Sequence, residues 1–210
     1  MAFKRIENKH NEVATKNDNI KTPDKDNAMF AAGLNISMRD DDPDFAAIML
    51  GNFVLGGGAL SNRLGNRIRQ KEGISYGVGS WFQADPLDKS GGFGAYAIYA
   101  PENAARLEAA FKEEVNKVVT EGITKEELET AKKAMIQSRM VNRTNDKMLV
   151  GKLNQYQYLN RTMASWDAKY EDSIKNLTLE QVNGALKKYI DPSKISIVKE
   201  GDFDKVVKKP

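Results

Sequence analysis

The sequence predicts an α+β domain: an antiparallel β-sheet with helices packed mainly on one side. Three observations predict it. The apolar period is close to two over residues 28–38, 74–84 and 93–100, as in half-buried strands. It changes to 3.6 from Pro101 onward. Between the second and third strands lies Asp85-Pro86-Leu87-Asp88-Lys89-Ser90-Gly91-Gly92, so dense in turn formers that an antiparallel hairpin is the economical connection. At 210 residues, 40% hydrophobic and 29% charged, the chain is long and apolar enough to bury its own core. It divides into a polar lead-in over 1–20, one domain over 21–204 and a basic tail over 205–210, with no repeat and no linker rich in Pro, Gly or Ser to cut it.

Within the lead-in, Phe3 to Ile6 reads as a short strand and the rest as extended chain. Ala28 to Met38 alternates as a strand with a buried face, and Arg39-Asp40-Asp41-Asp42-Pro43 ends it. Asp42 and Pro43 suit the N-cap and first turn of a largely buried helix carrying Phe45, Ile48, Met49 and Phe53. Gly56-Gly57-Gly58 stops that helix. A second begins near Ser61, with Leu60, Leu64 and Ile68 at four-residue spacing, and Gly73 closes it. After the hairpin, Pro101-Glu102 opens a helix with the stripe Ala104, Leu107, Phe111, Val115 and Val118, ended by Gly122. Thr124 with Glu127 forms a capping box for the next, which carries Leu128, Ala131 and Met135. Helices over 145–159, 165–175 and 178–189 follow, the last opened by a box at Thr178 and Gln181. Asp191-Pro192 breaks the run before a final strand at Ile195 to Lys199.

Composition removes several kinds of chemistry. With no cysteine, disulfides, thiolate nucleophiles and iron–sulfur clusters are impossible. With His10 as the one histidine, an ordinary catalytic zinc, which takes two or three imidazoles, cannot be built from this chain alone. The +3 net charge is too balanced for phosphate-driven nucleic-acid binding. Apolar runs are broken well short of the ~20 residues that span a bilayer. The first seven residues lack the apolar centre of a secretion signal, so the chain is either cytoplasmic or separated from its signal.

Most motifs have ordinary explanations. Gly73-Ile74-Ser75-Tyr76-Gly77 matches a nucleophile elbow in letters, but that elbow needs a strand before its serine and a helix after it, the reverse of the order here. The triple glycine lacks the GK[ST] of a phosphate loop and reads as a helix stop and tight turn. Asp24, Asp26, Asp40, Asp41, Asp42 and Asp44 fail the EF-hand register and read as solvated loops. His10, in a polar stretch, reads as a surface side chain. Arg69 falls in the last turn of a helix and Tyr76 two residues into the strand beyond Gly73, so both can project near one end of the sheet. Spacing alone leaves them as a dipole-favoured arginine and a half-buried tyrosine with its hydroxyl in water.

The run LGGGALSNRLGNRIRQKEGISYGVG from Leu55 to Gly79 resembles the signature of the second, non-zinc half of insulinase/pitrilysin-family zinc metallopeptidases. Ala100-Pro101-Glu102-Asn103, the stretch from Gly122 to Leu128 and the end near Gly201-Asp202 resemble that half too, so the likeness runs from about residue 20 to 204. The family's zinc sits on an inverted H-x-x-E-H helix in its first half, and no such motif occurs here. The resemblance implies that zinc is bound by an absent N-terminal half and none by this chain. It also implies that Arg69 and Tyr76 are the catalytic-cleft residues, the arginine holding a substrate carbonyl and the tyrosine hydroxyl donating to the developing oxyanion. The expected partners are that zinc-bearing half, on the same or a paired chain, and a peptide substrate, with neither nucleic acid nor a membrane span involved. Met1-Ala2 then reads as a start added to a truncated segment, and the separated domain is expected to expose an apolar face able to pair with a second copy. The exported long form of the family points to the periplasm or cell envelope, with the cytoplasm as the alternative. The rival reading is a non-catalytic structural subunit of the same fold that binds partners through the same surfaces.

Overall fold

A computed structural model describes residues 4–58 and 61–204. The expected position of Leu60 and the basic tail lie outside them. Five strands form one sheet in the order β1-β5-β2-β4-β3: β1 Asn17–Lys21, β2 Ala28–Ile36, β3 Ser75–Ala84, β4 Gly91–Tyr99 and β5 Ser196–Gly201. β3 and β4 form the expected hairpin, and β4 pairs antiparallel with β2 and β2 with β5. The sheet is mixed rather than wholly antiparallel, because β1 runs parallel to β5 at one edge.

That edge strand comes from residues expected as lead-in. Its five side chains are all exposed, so no alternation of apolar and polar residues marked it. The strand expected at Phe3 to Ile6 does not form among its described residues 4–6: Ile6 is 90% exposed and has no strand to pair with. The lead-in is held by side chains instead. Arg5 makes a two-pronged contact with Asp88 (2.6 and 2.7 Å), the Asn8 N–H donates to the same carboxylate (2.8 Å), and the Lys16 N–H donates to Ser196 Oγ (3.1 Å).

Six α-helices form where the sequence predicts helices: α1 Phe45–Asn52, α2 Ala104–Thr120, α3 Lys125–Arg143, α4 Asp146–Tyr158, α5 Ala168–Asn176 and α6 Leu179–Tyr189. α1 starts two residues later than the Asp42 cap implied. Asp42 instead builds a turn ahead of it, its carboxylate accepting from the Asp44 N–H (2.9 Å) and its carbonyl from the Phe45 N–H (2.9 Å). Both capping boxes form, Thr124 with Glu127 and Thr178 with Gln181. The core lies between one sheet face and the helices. Phe30 of β2 meets Phe111 of α2 at 5.0 Å between ring centroids, and α1 crosses α6 so closely that a Cβ on Gly51 would come within 2.7 Å of Leu186.

Past α1 the helix widens into a π-helical turn, Phe53–Gly57, and the chain returns through a second π-helical segment, Gly65–Lys71. The triple glycine serves close approach. A Cβ on Gly56 would lie 2.6 Å from the Ser80 hydroxyl, and one on Gly57 2.8 Å from the Asn52 amide, so this turn sits against β3 only without side chains.

Candidate functional site

Arg69 and Tyr76 are placed by two local events. The first is the end of the Gly65–Lys71 segment. Asn62 accepts from the Gly65 N–H (2.7 Å) at its start, Ile68 is buried in the core, and Gly73 turns the chain with φ +65°. The Ile74 N–H then donates to the Ile68 carbonyl (3.2 Å), sewing the helix end to the strand start. With Ile68 and Ile74 both facing inward, the neighbouring Arg69 is left on the surface.

The second event is a bulge. Ser75 pairs with Tyr99 and Gly77 with Ile98, so Tyr76 is an extra residue of β3 with no partner across the hairpin. Bulges of this kind re-aim side chains. Tyr76 is 63% exposed, and neither its hydroxyl nor the Arg69 guanidinium bonds to another side chain or the backbone among the described residues. The structure therefore puts both expected site residues in solvent at one end of β3, joined by a tight and well-bonded connection.

Several neighbouring charges pair with one another. Arg63 grips Glu127 at 2.8 and 2.7 Å and the Gly122 carbonyl at 2.9 Å. Arg67 pairs with Glu72 and, at 2.8 Å, with Glu113, while Arg106 reaches Glu72 at 2.6 Å. Arg67 and then Arg106 hold the Glu72 carboxyl below its ordinary range, and Lys117 with Arg67 brings Glu113 down to about 2. Of the arginines on this segment, Arg69 alone keeps its charge unengaged by the described residues.

The other sequence candidates are structural. Ser75 of the elbow-like motif is buried inside the bulge, its hydroxyl 2.7 Å from the Ile98 carbonyl. The acidic loop is paired rather than simply solvated: Arg161 makes a two-pronged contact with Asp40 (2.6 and 2.7 Å), Arg39 meets Asp41 (2.5 Å) and Lys188 meets Asp44 (2.7 Å). His10 is partly buried beside Glu12 at 3.4 Å. Among the described residues, no three His, Asp or Glu side chains are grouped so as to hold a metal ion. No helix among them is long and apolar enough to cross a membrane.

Sequence reasoning missed the bulge and the aromatic surface beside it. On the sheet face opposite the helices, Trp81 and Tyr96 are each close to half exposed, Trp81 lying across Gly94 and Tyr96 across Gly79. The signal available was the alternation of glycines with aromatics in both strands, Gly77, Gly79 and Trp81 against Gly92, Gly94 and Tyr96.

The profile of the family described as "Peptidase M16 inactive domain" matches residues 3–135. The crystal structure of a peptidase M16 inactive domain from Pseudomonas fluorescens superposes with a TM-score of 0.82 at 28% identity, covering 95% of this chain and 46% of that one. A protein described as "Non-peptidase homolog YmxG" from Helicobacter pylori is 24% identical over 177 residues, 84% of this chain and 40% of its own length. An uncharacterized zinc protease from Rickettsia bellii is 37% identical over 79 residues, 38% of this chain and 18% of that protein. The chain thus spans less than half the length of each of these relatives. A profile match over more than half the chain, together with the same sheet and helix layer, establishes that this chain belongs to the peptidase M16 inactive-domain family.

Proposed function

We propose that this chain is the substrate-engaging half of a peptide-hydrolysing protein whose zinc is carried by a companion N-terminal half. The observation that carries the reading is the pair Arg69 and Tyr76: a guanidinium and a phenol that bond to no other described residue, held on either side of a tight turn by buried neighbours. Such groups suit an extended peptide. A guanidinium, always charged, can hold a substrate carbonyl, and a neutral phenol can donate to a carbonyl oxygen as negative charge gathers on it. That donation strengthens as the reaction proceeds, so it lowers the barrier rather than only binding substrate. Zinc, when bound by the companion half, supplies the activated water. The zinc-protease description of the Rickettsia relative supports this reading.

The test is Tyr76→Phe in the complete protein. Loss of one such donor typically lowers turnover by ~10²–10³. The expected result is that loss with zinc content unchanged, and an unimpaired variant overturns the assignment. A second reading, a non-catalytic subunit that binds partners through the same surface, is favoured by the non-peptidase description of the Helicobacter relative. Chelator-sensitive peptide hydrolysis by the complete protein supports the first reading, and its absence at full zinc loading supports the second.

A further inference from the structure

The bulge that ejects Tyr76 has an internal fastening. Ser75 is 6% exposed, and its hydroxyl faces three backbone groups. It donates towards the Ile98 carbonyl at 2.7 Å, with the Gly77 carbonyl as a second acceptor at 3.0 Å, and it accepts from the Gly77 N–H at 3.2 Å. Two of these groups lie on the residue just past the bulge and the third lies across the hairpin on β4. A bulged residue leaves local gaps in the ladder, and a hydroxyl that both donates and accepts is the smallest group able to close them.

We propose that Ser75 is a positioning residue for Tyr76: its hydroxyl locks the bulge in the one geometry that aims the phenol outward. The proposal rests on the reading of Tyr76 as the oxyanion donor and extends it to a buried neighbour that touches no substrate. Without the hydroxyl, the Gly77 N–H loses its side-chain acceptor, and β3 can slide its extra residue along the strand. The phenol then samples several directions. A displacement of about 1 Å at a reacting centre can lower turnover by ~10²-fold, so a buried serine would set the rate without taking part in the chemistry.

Two measurements test this. In the 210-residue chain, the Tyr76 ring resonance, assigned by its disappearance in Tyr76→Phe, should shift and broaden in Ser75→Ala and return in Ser75→Thr, which keeps the hydroxyl. A resonance unmoved in Ser75→Ala overturns the proposal whatever the activity. In the complete protein, Ser75→Ala should lower kcat by about 10- to 100-fold with KM little changed, Ser75→Thr should recover much of the loss, and Ser75→Ala with Tyr76→Phe should be no slower than Tyr76→Phe alone. Loss in the double variant equal to the product of the single losses overturns the positioning role, because it would mean that Ser75 acts apart from Tyr76. Normal turnover in Ser75→Ala alongside a defective Tyr76→Phe overturns positioning and spares the proposed function. Normal turnover in Tyr76→Phe itself overturns both.

Discussion

Trp81 lies across Gly94, its direct partner in the hairpin register, and a Cβ there would come within 2.3 Å of the indole. The indole occupies the space that a side chain at Gly94 would fill, while part of the ring stays exposed. Gly94→Ala should push the indole off the sheet and shift its fluorescence towards the red. Trp166 is the other tryptophan, so the measurement belongs in a Trp166→Phe background. Trp81 is already 46% exposed, so the strand pairing should survive with little change in thermal midpoint. An unchanged emission spectrum would show that the ring does not depend on the glycine. Arg69 illustrates the same scale from the other side: it has no partner among the described residues, while Arg67, two residues away, pairs with Glu72 and Glu113.

Elements whose instructions are local formed as the sequence predicts. The Thr124 hydroxyl accepts from the Glu127 N–H at 3.1 Å, and the Glu127 carboxylate accepts from the Thr124 N–H at 2.7 Å, all within one turn of chain. Thr124→Ala should cost about 1 kcal/mol, read as a lower urea midpoint at unchanged slope. A variant as stable as the parent would mean that the cap is redundant. Glu127 also carries a contact no local rule reveals, the two-pronged grip of Arg63 from 64 residues earlier in the chain. Burial would raise the Glu127 carboxyl, but Arg63 and the Thr124 N–H outweigh it and hold the group below its ordinary range. Elements that depend on distant partners were misread. β1 has no buried residue and exists because β5 offers it an edge, whereas α4 formed within its expected span although it buries only Tyr156.

At the scale of the whole molecule, α3, α4 and the start of α5 are tied together around one buried carboxylate. Asp167, 2% exposed, receives Tyr156 (2.7 Å) and Lys152 (3.1 Å) from α4 and Arg139 and Arg143 (2.9 Å) from α3, while Glu171 of α5 meets both arginines. Burial alone would raise the Asp167 carboxyl, but Tyr156, Lys152 and Arg139 outweigh it and hold it below its ordinary value. Glu171 is lowered too, its two arginines overcoming burial. A carboxylate whose folded value lies below its unfolded one adds stability that is fully present above the unfolded value, about 4 for these side chains. That stability disappears as pH falls through the lower folded value. Thermal midpoints should therefore hold steady from neutrality down to about pH 4 and drop below it. Asp167→Asn should lower stability near neutrality by about 3 kcal/mol, because three cations lose their central partner, and should flatten the acid limb. An acid limb as steep as the parent's would place the titration elsewhere.

By itself the sequence determined the fold class, the hairpin and both capping boxes. Each of these is written in periods, caps and glycines that act within a few residues, whereas Arg69 and Tyr76 were singled out only by the family resemblance. Tertiary structure alone decided that β1 joins the sheet, that the acidic loop is paired with Arg161 and Lys188, and that Tyr76 stands out of a bulge stitched by Ser75. Those outcomes depend on which backbone groups and charges meet across long stretches of chain, and periodicity along one strand or helix carries no record of what lies opposite.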